Sequence, residues 1–347
     1  MNCETGPLIS VIIPAYNAET TIIRSVRSAL NQKINSSIEV IVVDDCSSDG
    51  TSEALDGLLQ SVRGLKVIHH EGNRGVAAAR NSGIAIARGD WLVFLDADDF
   101  LGDQYFCEVE PHLKNYNFVA TSYTEVRESS FSEKSHKLSG ILPLGERQLL
   151  TYMENYFWEP YRYTLLIHCW NKFFRRDIIE AHQLRFDERL SQLEDVNFVC
   201  SYLYKTRQGI FVDCPQVFHV ISKKGGNLSL VSGSGGLGAV SNFLIALDSV
   251  RLLKERLLAD YGWREKVSFS HFISSMAVIF CLRIARRLRR RPNWILLRQL
   301  YYWCSSNDLK GHFALFRYVE GESRYIHFTV QKTISTLMFT SILLSGR

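Results

Sequence analysis

The eight cysteines of this 347-residue sequence are scattered, and no two of them stand in a Cys-x-x-Cys spacing. That spacing would mark a zinc site or a redox centre; scattered thiols instead suit the reduced core of a cytosolic protein. The first strand-like run is not followed by Gly-x-Gly-x-x-Gly, which argues against a dinucleotide oxidoreductase. Nor is it followed by Gly-x-x-x-x-Gly-Lys-Ser/Thr, which argues against a P-loop enzyme. Residues 1–7 hold no apolar signal segment. The apolar stretch 326–344 is broken by Gln331 and Lys332 and falls short of a clean membrane span. A net charge of +4 is too small to argue for nucleic acid as a partner.

What is present is an ordinary globular composition, 46% hydrophobic and 22% charged, in a chain long enough for an α/β domain and an appendage. The most informative stretch is Gly89-Asp-Trp-Leu-Val-Phe-Leu-Asp-Ala-Asp-Asp99. Its aromatic and branched run reads as a buried central strand that ends in acids. If the extended geometry persists, Asp96 and Asp98 project on one side. Two hard carboxylates suit Mg²⁺ or Mn²⁺, with waters and phosphates completing the shell. A calcium loop of the EF-hand type fails, because Leu101 stands where glycine is required and Cys107 where glutamate is required.

Strand and helix alternate around this element. Leu8–Ile13 and Ile38–Val43 read as buried strands, and the second also ends in acids, Asp44 and Asp45. A helical face of Ile22, Ile23, Val26, Ala29 and Leu30 lies between them. A short strand at 65–68, a loop at 73–75 and an Ala-rich helix at 76–87 follow. The first hundred residues therefore predict a doubly wound parallel sheet. Asp45 and Asp96 then sit at carboxyl ends of strands, where they can accept from ribose hydroxyls or a base imide. Arg74, at a helix N-terminus, and Arg80 are candidates to meet a diphosphate; Arg80 reads equally well as a solvated helix charge.

Four blocks resemble glycosyltransferase family 2 in order and spacing. They are Ser10-Val-Ile-Ile-Pro-Ala-Tyr-Asn17, Val42-Val-Asp-Asp-Cys-Ser-Ser-Asp-Gly-Thr51, Asn73-Arg-Gly-Val-Ala-Ala-Ala-Arg-Asn-Ser-Gly83 and Phe94-Leu-Asp-Ala-Asp-Asp99. The resemblance implies a GT-A fold, a mostly parallel α/β sheet flanked by helices, that binds a nucleotide-diphospho-sugar and Mn²⁺ or Mg²⁺. It implies Pro14, Tyr16 and Asp45 around the base and ribose, and Arg74 and Gly75 near the nucleotide. Asp96 and Asp98 become the metal-binding Asp-x-Asp. Two later segments, Cys169-Trp-Asn-Lys-Phe-Phe-Arg175 and Phe186-Asp-Glu-Arg-Leu-Ser-Gln-Leu-Glu-Asp-Val-Asn-Phe198, resemble members that build bacterial surface polysaccharides. They imply Trp170, Asn171 and Lys172 on the acceptor side and Asp195 as catalytic base with Glu194 beside it. A carboxylate next to another can have its pKa raised toward a useful value. A late histidine that completes the metal shell in some GT-A enzymes has its candidate in His219.

The region 116–150 predicts a strand at 118–123 and a helix near 146–154. The aromatic cluster at 156–163 reads either as a sugar-stacking platform or as core. Lys223 and Lys224 read as lid or loop, and the glycine-rich run 232–238 as a linker. It separates a glycosyltransferase domain at 7–228 from a C-terminal helical region at 239–347. There an apolar stretch runs into Arg283-Ile-Ala-Arg-Arg-Leu-Arg-Arg-Arg291, which suits anionic lipid headgroups and a place at the inner face of the cell membrane. The expected activity is inverting, metal-dependent transfer from a nucleotide-sugar, UDP-linked, to a hydroxyl of a glycan or lipid-linked acceptor. The rivals are a nucleotidyltransferase, against which the loop Pro14-Ala-Tyr-Asn17 argues, and a non-catalytic nucleotide-sugar-binding scaffold.

Overall fold

Strand β1 (Gly6–Ala15) buries Ile9, Val11, Ile12 and Ile13 completely, so both of its faces are covered. The same holds for Val40 to Val43 of β2 (Ser36–Asp44) and for the whole of β4 (Trp91–Phe94). Continuous apolar strands of this kind belong in the centre of a parallel sheet, each buried Val, Ile or Phe contributing about 1.5–3 kcal/mol. The computed structural model describes residues 6–127, 132–136, 140–158 and 163–221, with Ala246, Ser249, Leu252 and Leu253.

The elements follow in order. After β1 come α1 (Ile22–Leu30), β2, α2 (Thr51–Leu59), β3 (Leu65–His69), α3 (Val76–Ile86) and β4. Then come β5 (Phe100–Leu101), α4 (Tyr105–Leu113), β6 (Phe118–Thr121), β7 (Tyr123–Arg127), β8 (Ser132–His136), β9 (Leu142–Leu144) and α5 (Glu146–Trp158). The described part closes with β10 (Lys172–Arg175), α6 (Arg176–Ala181), α7 (Glu194–Thr206), β11 (Gly209–Val212) and β12 (Val217–Ile221). Eight strands form one sheet in the order β3-β2-β1-β4-β10-β6-β11-β9, and four form a second, β5-β12-β7-β8.

The first four strands of the large sheet are parallel, as expected. The path steps outward from β1 to β3 and then returns to β4 on the other side of β1. Right-handed crossovers therefore put α1 and α2 on one face and α3 on the other. Past β4 the sheet becomes mixed: β10 runs antiparallel to both β4 and β6. The expected strand 118–123 is two strands in different sheets, with the chain changing sheets at Ser122. Helix α1 begins at Ile22 and buries Ile22, Ser25, Val26 and Ala29, while Ile23, expected on that face, is exposed.

Two glycines explain how α3 meets the sheet. Gly75, just before it, has φ +90°, where a side chain would be strained. Gly83 lies against β1; a Cβ there would stand 2.4 Å from Ile12 Cγ2. On the same face Phe186 stacks on Phe198 of α7 at 4.1 Å, and Phe94 meets both rings edge-on. This aromatic cluster fixes the start of α7 beneath the end of β4.

The chain divides into two compact units, Met1–Met153 with Tyr163–Asn227 and Glu154–Arg162 with Leu228–Arg347. The two sheets belong to the first. The platform residues 159–162, Lys223 and Lys224, the linker 232–238 and the basic run 283–291 lie outside the described residues, as does nearly all of the expected helical region 239–347. Among the described residues no helix is long and apolar enough to cross a membrane.

Candidate functional site

The carboxyl ends of β1, β2 and β4 face one crevice, at the point where the strand order reverses. Open α/β sheets bind ligands there. A pocket of about 300 Å³ is lined by Pro14, Ala15, Tyr16, Asp45, Asn73, Gly75, Val76 and Ala79. Tyr16 is half-exposed at its rim. Asp45 is buried, and its carboxylate closes the loop beneath the pocket. Oδ1 accepts from Arg74 N at 2.9 Å, and Oδ2 from Gly75 N at 2.7 Å. His70 Nδ1 lies 2.7 Å from Oδ1, and its Nε2 2.9 Å from Ser82 Oγ. Asp45 thus lines the pocket and holds the Arg74–Gly75 backbone, while the exposed Arg74 guanidinium pairs with Glu188 at 3.1 Å.

The acidic segment after β4 is not extended. Asp99 N bonds Asp96 O at 3.0 Å, so residues 96–99 form a turn. Helix α1 clamps it: Arg24 Nη2 donates to Asp98 O at 2.6 Å, and the buried Ser25 hydroxyl donates to Ala97 O at 2.9 Å and to Asp99 O. Asp98 reaches the crevice surface, yet desolvation by the surrounding protein, then Asp99 and Asp96, push its carboxyl up to about 6. Asp99 is fully buried and accepts from Val220 N at 2.8 Å, with His219 Nδ1 at 3.0 and 3.2 Å. Burial works against a charged His219, but Asp99, then Asp96 and Asp98, raise it to about 9.

Arg80 is neither a solvated helix charge nor open to a diphosphate. It is buried, with Nη2 on Asp96 Oδ1 at 3.0 Å and Nη1 on Glu194 Oε1 at 2.9 Å, and its guanidinium covers the Phe186 ring. One side chain therefore ties the acidic turn to the first residue of α7. Beside it, burial and the Asp195 charge raise the Glu194 carboxyl despite Arg80. Asp195 goes the other way from the expectation. Burial would raise it, but His168 at 3.1 Å, Arg80 and the Val196 N–H outweigh burial and hold it below the usual carboxylate range.

Of the expected acceptor-side residues, Asn171 and Lys172 are completely buried and cannot touch an acceptor directly. Asn171 Nδ2 donates to Thr121 O, and Lys172 Nζ donates to Leu165 O at 2.9 Å and to Asn171 Oδ1 at 2.5 Å. Their work is to brace the loop before β10; burial lowers Lys172 to about 7. Trp170 is buried as well, and its ring plane is nearly parallel to those of His168 and His219, with centroids 5.5 and 5.0 Å away.

A family model described as glycosyl transferase family 2 matches residues 10–182. The chain belongs to glycosyltransferase family 2 over that span. EpsH of Bacillus subtilis is 31% identical over 214 residues, 60% of this chain and 59% of that protein. The succinoglycan biosynthesis protein ExoO of Rhizobium meliloti is 32% identical over 207 residues, 57% and 56%. The chain thus spans less than two thirds of the length of these relatives. The crystal structure of S. aureus TarS 1–349 in complex with UDP-GlcNAc shares the fold at a TM-score of 0.58 and 18% identity, covering 95% of this chain and 89% of that one. The fold is GT-A.

Family 2 glycosyltransferases commonly depend on a divalent metal. Among the described residues no three His, Cys, Asp or Glu side chains converge as a complete ligand set. The donors present still fit a cation that substrate and water help to hold. Asp98 and Asp96 crowd each other with negative charge, and Asp99 binds His219 through Nδ1, the outer-shell partner that leaves Nε2 for a ligand. Sequence reasoning missed Arg24, Ser25, His70 and His168 in this chain. None sits in a motif, and each acts on a residue at least 25 positions away.

Proposed function

We propose that this protein transfers a sugar from a nucleotide-diphospho-sugar, UDP-linked, to a hydroxyl of a glycan or lipid-linked acceptor in bacterial polysaccharide biosynthesis, with inversion. The observation that carries the reading is the Arg80 bridge from Asp96 to Glu194, which draws the acidic turn and the start of α7 to one crevice. Relatives such as ExoO support the pathway class, and the UDP and UDP-GlcNAc complexes of TarS support the donor class.

On this reading Pro14, Tyr16 and Asp45 hold the base and ribose, and the Arg74–Gly75 backbone lies along the nucleotide. Binding the nucleotide there fixes the anomeric carbon over the acidic turn. Asp195, kept ionised by its neighbours, removes the acceptor hydroxyl proton as that oxygen attacks from the face opposite the diphosphate. Mn²⁺ or Mg²⁺, held through Asp98 with Asp96 and His219, would neutralise the charge that grows on the leaving diphosphate. The protein works in the cytoplasm at the inner face of the membrane, where lipid-linked acceptors are found.

The test is release of nucleoside diphosphate from a panel of nucleotide-sugars with Mn²⁺. Asp195→Asn is expected to lose at least about a hundredfold in turnover, within the range for a general base, while donor-induced thermal stabilisation survives. Full turnover in Asp195→Asn refutes the base. Pyrophosphate release points to a nucleotidyltransferase, and donor binding without turnover in the wild type to a scaffold.

A further inference from the structure

His168 stands in no motif, yet its side chain reaches the second residue of α7. Its Nδ1 lies 3.1 Å from Asp195 Oδ2, while Asp195 Oδ1 accepts from Val196 N at 2.8 Å. Both oxygens of that carboxylate are therefore anchored, and 20% of the side chain remains open to the crevice. The imidazole is itself held: its ring lies parallel to Trp170, 15° between planes. Trp170 is pinned in turn by the parallel ring of His219 at 5.0 Å and by Tyr123 edge-on at 4.7 Å. The loop that carries both is tethered at Leu165 O by the buried Lys172. A ring stacked on an indole, with one nitrogen 3.1 Å from a carboxylate, is the arrangement that orients a proton-transfer group.

We propose that His168 is a positioning residue for Asp195, holding its carboxylate by a hydrogen bond so that it is aimed at the acceptor hydroxyl, with Trp170 as the plate that sets the plane of the imidazole. This rests on Asp195 being the base. The role differs from simple packing, because it acts through a directed hydrogen bond to the carboxylate. Arg80 of α3, Glu194 and Cys200 of α7, and Cys169 and Lys172 of the tethered loop and β10 also face the pair. The terminal nitrogens of Arg80 bond Asp96 and Glu194, and among the described residues His168 is the side chain from outside α7 that hydrogen-bonds Asp195.

The experiment uses the full chain as wild type, His168→Gln and Asp195→Asn, with His168→Asn as the replacement should the glutamine variant not fold. The first readout is a ¹³C-carboxyl NMR titration of aspartate-labelled protein, with the Asp195 resonance assigned by its loss in Asp195→Asn. The Asp195 midpoint is expected to move to higher pH in His168→Gln. The second is nucleoside diphosphate release to water from UDP-, GDP- and dTDP-hexoses with Mn²⁺. There kcat is expected to fall about tenfold to a hundredfold with donor KM unchanged, and the acidic limb of the profile to move to higher pH. An unmoved Asp195 midpoint overturns the inference without any turnover being needed. Unchanged kcat in His168→Gln with Asp195→Asn inactive overturns it too, and leaves the base standing. Full turnover in Asp195→Asn removes the base assignment itself.

Discussion

Replacing Arg80 with methionine keeps the length and apolar stem of the side chain and deletes its charge. The guanidinium is buried and serves two carboxylates at 2.9 and 3.0 Å. Removing one partner of a buried pair costs about 3–5 kcal/mol. Here the figure belongs at the low end, about 3 kcal/mol, because Asp96 is 29% exposed and water can screen it. At about 2–4 °C per kcal/mol for a domain of this size, Tm should drop by about 6–12 °C. The loss should also depend on pH, with a definite sign. Burial and Asp195 already raise Glu194 and Arg80 opposes them, so without Arg80 Glu194 binds a proton still more readily in the folded state than in the unfolded one. A raised folded pKa supports stability below the unfolded value and forfeits it as pH rises through the folded value. The Tm gap between wild type and Arg80→Met should therefore be widest near pH 8 and narrow toward pH 5. Paired calorimetric scans at the two pH values measure it. A gap of the same size at both, or no gap, would refute the claim that Arg80 neutralises these carboxylates.

Gly83→Ala should destabilise although alanine is the better helix former by about 1 kcal/mol. The new Cβ meets Ile12 Cγ2 at 2.4 Å in a fully buried, β-branched neighbour, and overpacking of this kind costs about 1–3 kcal/mol; an unchanged or higher Tm counts against it. Lys172, lowered to about 7 by burial, penalises the folded state below that pH, and the penalty lifts as pH rises toward the ordinary lysine value. The Tm of the wild type should thus gain on that of Lys172→Met between pH 7 and pH 10, and parallel curves would contradict this. Neutralising the arginines of 283–291 should weaken flotation with anionic liposomes; equal flotation, or none by the wild type, removes the membrane contact.

The central strands were legible because a parallel sheet covered on both faces demands unbroken apolar runs, and Leu8–Ile13, Ile38–Val43 and Trp91–Leu95 supply them. Strand β10 was not, because its two phenylalanines stand between Lys172 and Arg175, and the burial of Lys172 depends on a carbonyl seven residues earlier. The change of sheets at Ser122 leaves no mark either, since no glycine or proline interrupts Phe118 to Arg127 where β6 gives way to β7. In the site, the carboxylates announced themselves through motifs and the partners did not. Arg80 finds Glu194 across 114 residues, and His168 finds Asp195 across 27. The extended reading of 96–98 failed because Ser25 of α1 draws the Ala97 and Asp99 carbonyls into a turn.

The reversed direction of β10 has an architectural outcome. In a wholly co-directional sheet, segments that enter strands gather at the rim remote from the substrate, and only segments that leave strands reach it. By inverting a single strand beside β4, the chain delivers an entering segment, with His168 and Trp170, to the crevice rim. On the proposed function, recognition of what receives the sugar then rests on an entering segment and recognition of what gives it on the segments that leave β1 and β2, so the two tasks fall to separate parts of the chain.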